Sequence, residues 1–207
     1  LGSAHARGRR PMVLDGVPFE NARTAPVAAF EDALARLTRA GARVTHASPP
    51  CVAEAMALAP TLFAPEAYGI WQDQIEDAPE LMYPPILERF RGGAQTLAAD
   101  YVAGWETLHR LRSDWARLVA GFDAVILPTA PMLPPDRERL LADEDFFAAE
   151  NLLALRNTRI GNVLGLPAVT LPTGRPACGI MAMGAAGADR HLLRVARAIE
   201  AALSPSS

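Results

Sequence analysis

Four polar residues in the second half of the chain, Thr129, Asn157, Thr158 and Asn162, stand where a ligand could be held. Thr129 lies in the loop Pro128-Thr129-Ala130-Pro131, which leaves an apolar run. Ligands of open α/β sheets gather beyond the carboxyl ends of such strands. Thr158 and Asn162 are four residues apart, which places them on one face of a helix. Such side chains exchange hydrogen bonds but do not attack a carbonyl unaided. The six serines, Ser3, Ser48, Ser113, Ser204, Ser206 and Ser207, all lie outside any glycine-rich loop. A serine hydroxyl becomes a good nucleophile only beside a base. All 20 basic side chains are arginines, which keep their protons at ordinary pH.

Other constellations are weaker. His46 and Cys51 could pair as thiol and imidazole, but a strand-end histidine and a small buried cysteine explain them better. His5, His109 and His191 lack metal-ligand spacing with one another or with cysteine. The acidic run Asp143-Glu144-Asp145 suits a solvated helix start better than a cation site. Gly179, Gly184 and Gly187 do not form the G-x-G-x-x-G of a dinucleotide loop. Neither a metal nor an organic cofactor is expected.

Composition narrows the class. The 207 residues are 50% hydrophobic and 21% charged, with net charge −3, as in an ordinary globular protein. Arginines scattered among acids make no basic stripe, which argues against nucleic acid as a partner. Two distant cysteines, Cys51 and Cys178, do not make a disulfide framework and fit a reducing, cytoplasmic setting. No apolar run approaches the roughly 18–20 residues of a membrane span. Arg7, Arg9 and Arg10 are followed by Pro11 and Asp15 rather than by the apolar stretch of an export signal.

The elements that must position these residues are legible in part. Residues 1–10 have no hydrophobic period and read as a loose start, 11–203 as one domain portion, and 204–207 as a tail. Val27, Phe30, Leu34 and Leu37 mark a helix over 26–40, and a strand follows at 42–47. Between 51 and 93, Pro60, Pro65, Pro79, Pro84 and Pro85 predict several short helices. Leu97, Tyr101, Trp105, Leu108, Leu111, Trp115 and Leu118 predict a long amphipathic helix over 95–121. Strands at 124–127, 168–171 and 179–183 and helices at 146–164 and 189–203 complete the pattern. The long helical connection from 124–127 to 168–171 predicts parallel strands, and the short turn before 179–183 an antiparallel one. The fold class is α/β, with a mixed, mainly parallel sheet flanked by helices.

The segment Arg156–Gly174, RNTRIGNVLGLPAVTLPTG, carries T-x-x-x-N-x-x-G-x-P followed by a short apolar strand. With the helix ending in AGARV, VILPTAP at 125–131, GIMAMG at 179–184 and GADRHLLRVARAIE at 187–200, it resembles the C-terminal half of the amidase signature family. The resemblance implies hydrolysis or transfer of carboxamides through a Ser–cis-Ser–Lys triad. The family's lysine and Gly/Ser-rich nucleophile segment precede the part matched here, so no residue of this chain is expected to be catalytic. What it implies instead is the C-terminal part of a hydrolase that converts a small carboxamide to acid and ammonia, supplying scaffold and cleft wall. Met181 stands where the family usually has Gln, and joins Thr129, Asn157, Thr158 and Asn162 as an expected substrate contact. The implied partners are the amide, and either a serine- and lysine-bearing N-terminal segment or a second copy through an exposed sheet edge. A non-catalytic binding or assembly module that keeps the scaffold is the alternative.

Overall fold

The computed structural model describes residues 6–204. The expectations for Leu1–His5 and for the SPSS tail beyond Ser204 lie outside the described residues. Five strands form one sheet: β1 (Pro11–Leu14), β2 (Thr45–Ala47), β3 (Ala124–Pro128), β4 (Ala168–Pro172) and β5 (Gly179–Met183). Their order is β2-β1-β3-β5-β4. β1 runs parallel to β2 and β3, while β5 is antiparallel to both β3 and β4. Four strands therefore share one direction. β3 and β4 are parallel as expected, but β5 lies between them.

Eight helices among the described residues cover the faces: α1 (Thr24–Arg39), α2 (Pro50–Ala57), α3 (Ala59–Asp77), α4 (Pro84–Arg91), α5 (Ala98–Val119), α6 (Arg137–Ala142), α7 (Glu144–Leu164) and α8 (Asp189–Leu203). Alternation along the strands sorts their side chains into two cores. Met12, Leu14, Val125, Leu127, Met181 and Met183 meet α2, α5 and α7 on one face. Val13, Ile126, Ile180 and Ala182 meet α1 and α8 on the other.

Four local expectations need correction. Residues 6–10 are not loose: Ala6 is buried, Gly8 N–H donates to Gly41 O at 2.9 Å, and Arg43 N–H donates to Arg9 O at 2.8 Å. They lead into β1, all four residues of which are buried. Four apolar residues behind three arginines give too short a run to announce a strand. The strand expected at 42–47 is only Thr45–Ala47, because β2 is an edge strand paired with β1 alone.

The proline-rich stretch is also less broken than expected. α3 runs 19 residues straight through Pro65, and Pro60 occupies its first turn, where a missing N–H costs nothing. Gly93 makes its close packing possible, since a Cβ there would overlap the Ala64 carbonyl. In α5 the buried face is Leu108, Leu111, Trp115 and Val119, whereas Leu118 is exposed and Leu97 precedes the helix.

One charged cluster pins the amino ends of β1 and β3. Asp123 accepts from Arg10 N–H at 2.7 Å and from Arg9 Nη1 at 3.0 Å, with His191 Nε2 3.9 Å away. Burial pushes its carboxyl up, but the Arg10 N–H, the Arg9 guanidinium and His191 outweigh that and hold it below the ordinary 3.8. A depressed carboxyl stabilises the fold above its unfolded pKa, near 4. That stabilisation is lost as pH falls through the folded value. The stability difference between wild type and Asp123→Asn should therefore be constant from pH 7 to about 5 and shrink below about 4. Urea unfolding at each pH measures it, and a difference at pH 3 as large as that at pH 7 would reject the assignment.

Candidate functional site

β3 delivers its chain into Pro128–Pro131, and β4 ends beside it at Pro172. Thr129 N–H donates to Gly179 O at 2.9 Å, which ties the loop to the start of β5. Thr129 Oγ1 lies 3.4 Å from Thr170 Oγ1. Gly179 sits between them, and a Cβ there would come within 2.8 Å of Thr129 Oγ1 and 2.9 Å of Thr170 Cγ2. Only glycine leaves both hydroxyls where they are. The result is an open groove lined by Thr129, Ala130, Thr170, Pro172, Arg175 and Gly179. It lies at the carboxyl ends of β3 and β4, the side on which α/β sheets bind ligands.

The far wall of the groove is held by the turn from β4 to β5. Thr173 is buried, and its Oγ1 donates to Cys178 O at 2.9 Å. Ala177 closes the turn at φ 55°, and Arg36 Nη2 donates to Thr173 O.

A second set of bonds holds the Pro128–Pro131 loop from below. Asn157 is fully buried, and its Nδ2 donates to Pro128 O at 2.8 Å and to Pro18 O at 3.4 Å. Arg156 donates through Nη2 to Pro18 O at 2.8 Å, through Nη1 to Glu20 O, and through Nε to Asn157 Oδ1 at 3.3 Å. Burial pulls its guanidinium below the ordinary arginine range. Arg23 N–H donates to Pro131 O at 2.7 Å, and its Nη2 meets Glu150 Oε1 at 2.7 Å. Loop 15–23, loop 128–131 and α7 thus form one rigid clasp.

The five expected substrate contacts are scattered by this geometry. Thr129 lines the groove. Asn157 is fully buried with its amide committed to backbone carbonyls, and Met181, 2% exposed, is packed in the sheet core. Thr158 and Asn162 are exposed on the outer face of α7, where Thr158 Oγ1 donates to Leu155 O at 3.0 Å. Neither lines the groove that holds Thr129. Thr170, Gly179 and Arg175 stand there instead, outside the expected set. Thr170 pairs with Met181 across β4 and β5, a register that the local sequence does not state.

Cys51, His46 and Ser113 are not arranged as a nucleophile and its base. Burial, Asp114 and Glu54 push the Cys51 thiol up, the opposite of activation. His46 Nδ1 lies 3.1 Å from both oxygens of Asp15, and the pair is exposed. Ser113 donates to His109 O within α5. Among the described residues no three His, Cys, Asp or Glu side chains gather as a metal site, and no helix is long and apolar enough to cross a membrane.

Comparison with known proteins agrees with this fold. The family model Amidase matches residues 14–193. The chain is 32% identical over 180 residues to 2-amino-5-chloromuconic acid deaminase of Comamonas testosteroni, covering 84% of this chain and 39% of that protein. Among solved structures, Kluyveromyces lactis allophanate hydrolase superposes with TM-score 0.80 at 19% identity, over 96% of this chain and 33% of that one. A crystal structure of an amidase gives TM-score 0.77 at 22% identity, over 97% and 47%. The chain spans less than half the length of each of these relatives. By the extent of the family match and the identity to the deaminase, the chain belongs to the amidase family.

Proposed function

We propose that this chain forms the C-terminal wall of an amidase that hydrolyses a small carboxamide to acid and ammonia. The observation that carries this is the groove at the ends of β3 and β4, bordered by a strand whose outer edge is unpaired among the described residues. Among the described strands β4 pairs with β5 alone, and Ala168, Thr170 and Pro172 are exposed. An edge of this kind accepts further strands. The serine nucleophile, bridging serine and lysine come from a segment outside these 207 residues. In the complete enzyme the serine Oγ attacks the amide carbon while its proton passes to the lysine. Ammonia leaves with a returned proton, and water then releases the acid from the acyl serine. Thr129 and Thr170 flank the bound amide and supply hydrogen bonds. No metal or organic cofactor takes part.

The chain alone should release no ammonia from acetamide, benzamide or glutamine above a buffer control. Mixed with, or fused behind, the part of the Comamonas testosteroni deaminase that precedes its matched region, it should gain amide turnover. Turnover by the chain alone would overturn the proposal. A well-formed complex with no turnover on any amide would favour a module that keeps only the scaffold.

A further inference from the structure

Arg175 stands at the rim of the groove, in the turn that joins β4 to β5. Its backbone is held on both sides. The N–H donates to Thr173 Oγ1 at 3.3 Å, and the carbonyl accepts from Cys178 N–H at 3.2 Å. Gly174 and Ala177, at φ 88° and 55°, bend the chain before and after it. Of the eleven described residues that line the groove, Arg175 alone carries a charge. Ala130, Leu171, Pro172, Pro176 and Ala177 contribute apolar surface, and no acid stands among the lining residues. Among the described residues no carboxylate pairs with the Arg175 guanidinium. Arg36, which braces the turn through Thr173 O, has its own acid in Asp32 at 3.4 Å.

The groove therefore offers two kinds of polar contact. Thr129 Oγ1 and Thr170 Oγ1, 3.4 Å apart, supply neutral hydroxyls. Arg175 supplies a cation whose fork takes a planar carboxylate through paired hydrogen bonds. A groove lined by one sign of charge also draws in ligands of the other. Its volume of about 710 Å³ falls within the roughly 300–1,000 Å³ of small-molecule sites. We propose that Arg175 makes this groove a site for a small amide that also carries a carboxylate. The amide half of that statement rests on the amidase function proposed above; the carboxylate half does not.

Three probes of similar size separate the halves: succinamate (amide and carboxylate), succinate (carboxylates only) and succinamide (amides only). Each is titrated into the 207-residue chain while the backbone amide resonances are followed. Succinamate should bind tightest and shift Thr129, Thr170, Arg175 and Gly179. Succinamide should bind about tenfold more weakly, and Arg175→Gln should weaken succinamate by the same factor. Arg110→Gln, which removes an exposed charge of α5 outside the groove, should change nothing. The affinity of the wild type for succinamate should fall as salt is raised, because exposed charges are screened. Succinate binding at least as tightly as succinamate, and weakened by Arg175→Gln, would keep the carboxylate site and count against the amide contact. Succinamide binding as tightly as succinamate, with Arg175→Gln unchanged, would keep the amide contact and overturn the carboxylate site. Failure of all three to bind, shifts confined to residues outside the groove, or equal losses for Arg110→Gln and Arg175→Gln also overturn it.

Discussion

Trp115→Ala will cost the chain about 3–5 kcal/mol of folding stability, the range for removing a large aromatic side chain from a packed core. Trp115 is 2% exposed and belongs to the core between the sheet and α2, α5 and α7. Its indole N–H is buried without a hydrogen-bond partner, so part of the side chain's burial is opposed by an unsatisfied donor. Trp115→Phe removes that donor along with some apolar area and should cost only about 1 kcal/mol. The two effects separate in urea: both variants keep the wild-type slope, and the midpoint moves far for Ala and little for Phe. Equal losses for Ala and Phe would mean that the indole N–H has a partner in solution.

Asn157→Leu should cost about 2–4 kcal/mol although it swaps one side chain for another of similar volume. Leucine cannot donate, so Pro128 O and Pro18 O lose the amide that satisfies them, and Arg156 Nε loses an acceptor. The damage is directional. Loop 128–131 is released from α7, and amide exchange should speed up at Thr129 and Arg23, whose N–H groups bond Gly179 O and Pro131 O. Thr158→Ala, one residue along on the exposed face, should stay within about 0.5 kcal/mol. If Asn157→Leu is as mild as Thr158→Ala, the clasp does not hold the groove.

That contrast between neighbours marks the limit of local sequence pattern. Apolar spacing revealed α1, α5, α7 and α8, and short β-branched runs revealed β3, β4 and β5, because these periods belong to the backbone itself. Gly165, at φ 69°, ends α7 where the sequence places the end. The motif from Thr158 to Pro167 pointed to the family for the same reason: its residues are close in the chain. That all 20 Lys and Arg positions are arginine is likewise read directly from the chain.

Tertiary structure decided which side of each element met the core. One helical residue is a turn of about 100°, so Asn157 is fully buried while Thr158 faces out, and nothing local distinguishes them. β1 is a strand because β2 and β3 flank it and its residues pack on both faces. Four residues cannot state that alone. Thr129, Thr170 and Gly179 meet through strand register, and Asn157 meets Pro18 and Pro128 through the packing of α7. These meetings join residues tens of positions apart. They are set by burial of surface across the whole sheet, which no local pattern of side chains encodes.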